Sequence, residues 1–215
     1  MRILCLHGSG SSGEKFRANI KPLIDQIQLD IPSEWVFPTA PHLINQESEV
    51  KGYAWWKLPT GKRSYNAKEY FGVEESLQII ENHAPYEVIL AHSQGSMIAA
   101  ILSAHYITQS IPKPSPLKLV LSGAAWPNAY SSLLEAAATT LQKYKESSSI
   151  DPRARNSSPW IKSLHVLSEE DSVNPPIHGI RLSECLDGEV CWHSGGHVFP
   201  RDHPLITSKI IQLLK

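Results

Sequence analysis

Ile89-Leu90-Ala91-His92-Ser93-Gln94-Gly95-Ser96 is the stretch on which the fold turns. Residues 87–91 carry a Val-Ile-Leu run, the composition of a strand buried on both faces, and residues 95–106 read as a helix packed close to it. Ser93 stands at the join, with a small residue two places before it (Ala91) and another two places after (Gly95). A chain that passes this abruptly from strand to helix must turn sharply. Neighbouring backbones then approach so closely that only small side chains fit.

The same alternation continues on both sides. Short apolar runs at 2–6, 35–37, 87–91, 117–121, 164–167 and 189–192 read as strands. Phe16, Ile20, Leu23, Ile24 and Ile27 fall on one face of a helix, and Tyr70, Val73, Leu77 and Ile80 on one face of another. Leu133, Leu134, Ala137 and Leu141 make a weaker amphipathic helix, and a last helix begins near Pro204. Strands alternating with helices specify an α/β class. The expected fold is a single domain, 1–215, built as a three-layer α/β/α sandwich on a mostly parallel sheet of about six strands. Residues 42–65 look irregular. Residues 127–160, with the polar run 147–159, read as an insertion that caps the site or stays mobile.

Composition narrows the function. The chain has 215 residues, 41% hydrophobic and 19% charged, with a net charge of −1, so it lacks the basic balance that nucleic-acid backbones require. No apolar run reaches the roughly 20 residues of a membrane span, and the buried-strand pattern starts too early for a signal peptide. Three dispersed cysteines do not make a disulfide framework, which favours a reducing compartment such as the cytoplasm. Oligomeric state is left open.

Strand, serine and helix in this order form a nucleophile elbow, G-x-S-x-G with Ala91 in the first glycine's place. The plainer alternative is a serine that caps the helix. The turn after the first strand, Leu6-His7-Gly8-Ser9-Gly10-Ser11-Ser12-Gly13, would supply one backbone N–H of an oxyanion hole from Ser9, and Gln94 the other. A phosphate loop is not matched there, because Glu14-Lys15 follows Gly13. The dinucleotide pattern G-x-G-x-x-G is matched by Gly8 to Gly13, but no acidic residue ends the second strand, Val36-Phe37-Pro38.

An acid and a base should follow the serine in that order. The loop after residue 167 offers Asp171, with Glu170 and Glu169 as alternatives. After the last strand, His193-Ser194-Gly195-Gly196-His197 places two glycines before His197, so that this histidine can reach back over Ser93. His193 and His203 read as structural, and His7 and His92 as flanking. No metal site is expected, since the ten histidines include no H-E-x-x-H.

As a set, these segments resemble the FSH family of serine hydrolases, small proteins of α/β-hydrolase fold. The resemblance runs through Ile3 to Gly8, Ser12-Gly13-Glu14, Ala40-Pro41-His42, Trp55-Trp56, Gly72-Val73-Glu74-Glu75-Ser76-Leu77, Ser93-Gln94-Gly95, Ser122-Gly123, Leu164-His165-Val166, Asp171 with Pro175, and His193 to His197. It implies cofactor-free hydrolysis of a small-molecule carboxylic ester or thioester, with a fatty or otherwise hydrophobic acyl chain, by Ser93, Asp171 and His197. Ala91, His92 and Ser96 depart from the family pattern and bear on rate and acyl preference. Trp55, Trp56, Trp126 and Phe199 are the apolar side chains that the surrounding loops offer to such a chain. The competing reading is a module that binds a small ligand in the same pocket without turnover.

Overall fold

Period-two burial decides how the strands sit. In β1 (Arg2–Leu6), Ile3 and Cys5 face one side and Leu4 and Leu6 the other, and all four are fully buried. Only a sheet covered by helices on both faces accommodates such a strand. The computed structural model describes residues 1–44, 51–109, 117–150 and 161–215 and shows that arrangement.

The remaining elements follow in chain order. They are α1 (Gly13–Asn19), α2 (Lys21–Asp30), β2 (Glu34–Val36), β3 (His42–Leu43), β4 (Tyr53–Ala54) and α3 (Val73–Glu81). Then come β5 (Val88–His92), α4 (Gln94–Thr108), β6 (Lys118–Ser122), α5 (Ser131–Ile150), β7 (Lys162–Ser168), α6 (Pro176–Cys185), β8 (Glu189–His193) and α7 (Pro204–Leu214). Six strands form one sheet in the order β2-β1-β5-β6-β7-β8, parallel throughout. Helices α1, α2 and α7 pack Phe16, Leu23, Ile27, Ile206 and Ile210 against the Ile3, Leu90 and Val120 face. The Leu4, Ile89 and Leu119 face is covered by α3, α4, α5 and α6. The three-layer sandwich is as expected.

Several local details differ. The helical period from Phe16 to Ile27 belongs to two helices, broken at Ile20. Pro22, in the first turn of α2, has no N–H to continue the earlier helix, and the chain restarts there. Residues 42–65 are not wholly irregular, because β3 and β4 pair as an antiparallel ribbon. Helix α6 has no counterpart among the helices expected from sequence. Its buried face is Gly179, Leu182, Ser183 and Cys185, and a Cβ on Gly179 would lie 2.5 Å from Leu167 Cδ2. Close approach, not an apolar stripe, seats this helix.

Helix α5 packs along α4 with Leu134, Ala137 and Leu141 buried in the core. Part of the insertion expected at 127–160, residues 151–160, lies outside the described residues. Among the described residues no helix is long and apolar enough to cross a membrane. Cys5, Cys185 and Cys191 are buried free thiols, and burial raises the pKa of each, to about 11 for the latter two.

Candidate active site

The turn between β5 and α4 holds Ser93 at φ 54° and ψ −118°, a left-handed conformation that a side chain rarely adopts. Such strain persists only where surrounding structure holds it. Here the Ser93 N–H donates to the Ser122 carbonyl at the end of β6 (2.8 Å), and the Ser96 hydroxyl donates to the same carbonyl (3.0 Å). Gly95 is required because a Cβ there would lie 2.7 Å from the His7 carbonyl oxygen and closer still to that of Leu6. The elbow is thus clamped between β1 and β6, and the Ser93 side chain stands at the C-terminal edge of the sheet.

His197 meets it from the loop after β8. Its Nε2 lies 2.9 Å from Ser93 Oγ, and its Nδ1 lies 2.7 Å from Asp171 Oδ2. A carboxylate only accepts, so Nδ1 carries the proton and the Nε2 lone pair faces the hydroxyl. Asp171 comes from the loop after β7 and its side chain is 3% exposed. Its second oxygen, Oδ1, accepts the N–H groups of Val173 (2.9 Å) and Asn174 (2.8 Å), which fixes the carboxylate before the histidine is considered. Asn174 in turn donates from Nδ2 to the Gly123 carbonyl (2.8 Å). Glu169 and Glu170, the alternative acids, are exposed. The structure brings Ser93, His197 and Asp171 into one hydrogen-bonded chain, able to move a proton from the hydroxyl to Nε2 and to stabilise the imidazolium that results.

The other histidines have separate tasks. Fully buried His7 accepts the Ala40 N–H at Nε2 (3.0 Å), so its Nδ1–H donates to the Gly8 carbonyl (2.7 Å), and burial lowers its pKa. His92 lies 5.1 Å from the His197 ring and edge-on to Phe199. Burial, followed by its neighbour His197, pulls its pKa down to about 3, so its ring is too weak a base to take the serine's proton. His193 accepts the Gly195 N–H at Nδ1 (3.1 Å), which shapes the loop that presents His197. His203 precedes α7, and its backbone carbonyl, not its ring, accepts the Thr207 N–H (2.9 Å).

Ser9 is exposed in the turn after β1, and Gln94 is the first residue of α4, with a buried side chain. Neither backbone N–H donates to a group among the described residues. The four apolar side chains offered to a substrate are nearly buried: Trp55 and Trp56 are at most 1% exposed, and Trp126 and Phe199 at most 3%, with Phe199 lining a cavity beside His197. Trp55 Nε1–H donates to the His7 carbonyl (2.8 Å), and Trp56 stacks on Tyr70 at 4.8 Å. Trp126 lies under the Arg181 guanidinium, and Phe199 packs on Phe16. An apolar side chain that does reach solvent beside the site is Val198, which lines a cavity with His92, His197 and Phe199.

Three supporting roles carry no mark in the sequence: those of the Ser122 carbonyl, the Ser168 hydroxyl and the Gln94 side chain. Each acts through bonds to distant backbone, which no local pattern encodes. The described residues include no cluster of three or more candidate metal ligands.

Comparison with known proteins matches the chain to the family described as serine hydrolase (FSH1) over residues 1–209. Esterase OVCA2 of Danio rerio is 28% identical over 93% of this chain and 90% of its own length. Esterase CG5412 of Drosophila melanogaster is 26% identical over 93% of this chain and 68% of its own. Among solved structures, acyl-protein thioesterase 2 of Zea mays is similar with a TM-score of 0.66 and 19% identity, covering 100% of this chain and 94% of that one. A Bacillus cereus carboxylesterase gives 0.55 and 14%, covering 98% and 85%. At these identities the structural likeness bears on the fold, which is that of α/β-hydrolases.

Proposed function

The chain belongs to the serine hydrolase (FSH1) family, and on that footing we propose that it hydrolyses small-molecule carboxylic esters or thioesters bearing a hydrophobic acyl chain, through an acyl-serine intermediate. The observation that carries this reading is the unbroken chain from Ser93 Oγ to His197 Nε2 (2.9 Å) and from Nδ1 to Asp171 (2.7 Å).

Ser93 Oγ attacks the carbonyl carbon as its proton passes to His197 Nε2. Asp171 holds the imidazole in the required tautomer and stabilises its charge. The free N–H groups of Ser9 and Gln94 receive the oxyanion, worth ~3 kcal/mol per donor in such sites. Collapse expels the alcohol or thiol, which takes the proton back from Nε2. Water then gives its proton to His197 and attacks the acyl-serine, and a second collapse releases the acid and restores Ser93. Val198, exposed beside His197, supports an apolar acyl group, and the similarities to proteins named esterases and to a solved acyl-protein thioesterase support an ester or thioester. Three unpaired buried thiols accord with a reducing compartment such as the cytoplasm.

The test is a panel of esters and thioesters from acetyl to about twelve carbons, run on wild type and Ser93→Ala, with a fluorophosphonate probe alongside. Each buried methylene contributes about 0.8 kcal/mol, so log kcat/KM should rise with acyl length until the pocket fills. A flat or falling slope removes the hydrophobic-acyl reading. Failure of the probe to label Ser93 points to the non-catalytic binding module.

A further inference from the structure

We infer that the Gln94 side chain is a positioning residue that sets the spacing of the two oxyanion donors, an inference that rests on the assignment of the Ser9 and Gln94 N–H groups above. The two donors belong to different elements. Gln94 opens a buried helix, whereas Ser9 and Gly10 are the exposed part of a turn that starts at buried Gly8. Oxyanion stabilisation needs both held to within about 0.5 Å, and the His7 ring holds the Gly8 carbonyl (2.7 Å) but leaves exposed Ser9 and Gly10 with little grip of their own.

The grip comes from residues 53–56. Gly10 N–H donates to the Tyr53 carbonyl (2.9 Å), and Tyr53 N–H donates to the Ser11 carbonyl (2.9 Å). On the other side of Ser9, Trp55 Nε1–H donates to the His7 carbonyl (2.8 Å). The turn is therefore held before and after the donor by one short segment. That segment hangs from Gln94: Oε1 accepts the Trp55 N–H (2.8 Å), and Nε2 donates to the Trp56 carbonyl (3.0 Å). Two bonds to successive residues fix its orientation as well as its distance. Ser76 Oγ donates to the Trp55 carbonyl and closes the mount from α3. The path begins at the residue that carries one donor and ends at the turn that carries the other, so one buried amide side chain ties the two donors together beyond the point where β1 and β5 cease to pair, at Leu6 and Ala91.

The experiment compares Gln94→Glu, Gln94→Met and Trp55→Phe with wild type. It measures kcat, KM, unfolding temperature and inhibition by an alkylboronic acid, whose tetrahedral adduct on Ser93 places an oxygen between the two donors. Gln94→Glu keeps the acceptor and loses the donor, Gln94→Met keeps the length and loses both bonds, and Trp55→Phe keeps an aromatic ring and both bonds to Gln94 but loses the Nε1 link to His7, with some buried volume. Misplacement rather than removal of a donor should lower kcat by about tenfold to a hundredfold in the Gln94 variants, with KM within about threefold. The boronate should weaken by the factor lost in kcat, and Trp55→Phe should shift both in the same direction. A folded Gln94 variant with kcat and boronate inhibition both within about threefold of wild type overturns the inference, as does a loss confined to KM. Should neither Gln94 variant fold, Trp55→Phe decides by the same criterion. Turnover retained in Ser93→Ala would instead sink the nucleophile assignment, so the two failures are distinct.

Discussion

The Ser168 hydroxyl accepts the Gly196 N–H at 3.1 Å, and so joins the strand that delivers the carboxylate to the loop that delivers the histidine. The same oxygen accepts the Glu170 N–H (3.2 Å), one residue before Asp171. A 2%-exposed side chain thus sets the two loops against each other without touching a reacting atom. Ser168→Ala should lower kcat about tenfold with KM little changed, since a small displacement of His197 is felt mainly in the proton-transfer step. Steady-state kinetics on one good ester checks this, and an unchanged kcat would show that the loops hold themselves.

Backbone strain at Ser93 has a thermodynamic signature. Ser93→Ala and Ser93→Gly should both lose turnover by on the order of 10⁴-fold or more. Only glycine accepts φ 54° and ψ −118° at little cost, so the glycine variant should unfold about 1 kcal/mol later than the alanine one, despite its greater freedom when unfolded. Urea titration of the two inactive proteins measures the difference. Equal stabilities would mean that the turn is not strained.

Asp171 and Glu170 separate cleanly by substitution. In Asp171→Asn the Val173 and Asn174 N–H groups continue to select an oxygen acceptor, which leaves the new amide NH2 facing His197 Nδ1. The imidazole must then move its proton to Nε2 and can no longer accept from Ser93, a loss of about 10³- to 10⁴-fold in kcat. Glu170→Gln should stay within about twofold, in line with ordinary exposed substitutions. A large loss in Glu170→Gln alone would reassign the acid.

His165 makes the fold sensitive to acid. It is fully buried on β7, its Nε2 meets Ser163 Oγ at 3.1 Å, and its Nδ1 has no partner among the described residues. Burial pulls its pKa from 6.5 to about 3. An unfolded chain therefore gains a proton here below pH 6.5 that the folded chain refuses until about pH 3. The contribution is complete above pH 6.5 and falls with pH across that window, by about 1.4 kcal/mol per unit. Stability from urea titrations at pH 7, 5.5 and 4 should decline, and His165→Leu should decline less steeply. Parallel slopes would place the acid sensitivity elsewhere.

The central strands were legible because both of their faces are buried, which leaves the unbroken Val-Ile-Leu signature that a helix-covered parallel sheet produces. Ser93, Asp171 and His197 were marked by their places after such strands, and by the two glycines before His197. Local pattern failed where structure rests on close approach or on distant bonds. Helix α6 turns Gly179 and Ser183 inward and shows no apolar period. Pro22 was the single sign that the face from Phe16 to Ile27 is two helices. Composition brought Trp55 and Trp56 near the site, but not the fact that their polar atoms bind loops to one another while their rings stay inside.

The strand order also divides the site along the chain. From β5 outward each strand lies beside the one that precedes it in sequence, through β6 and β7 to β8. The clamp on Ser93 closes at the Ser122 carbonyl of β6, whereas Asp171 and His197 hang from the two strands beyond it. Fraying of the sheet from its β8 edge would therefore strip the hydroxyl of the group that takes its proton before it loosened the serine's own turn. Activity should fail ahead of the core wherever that edge opens.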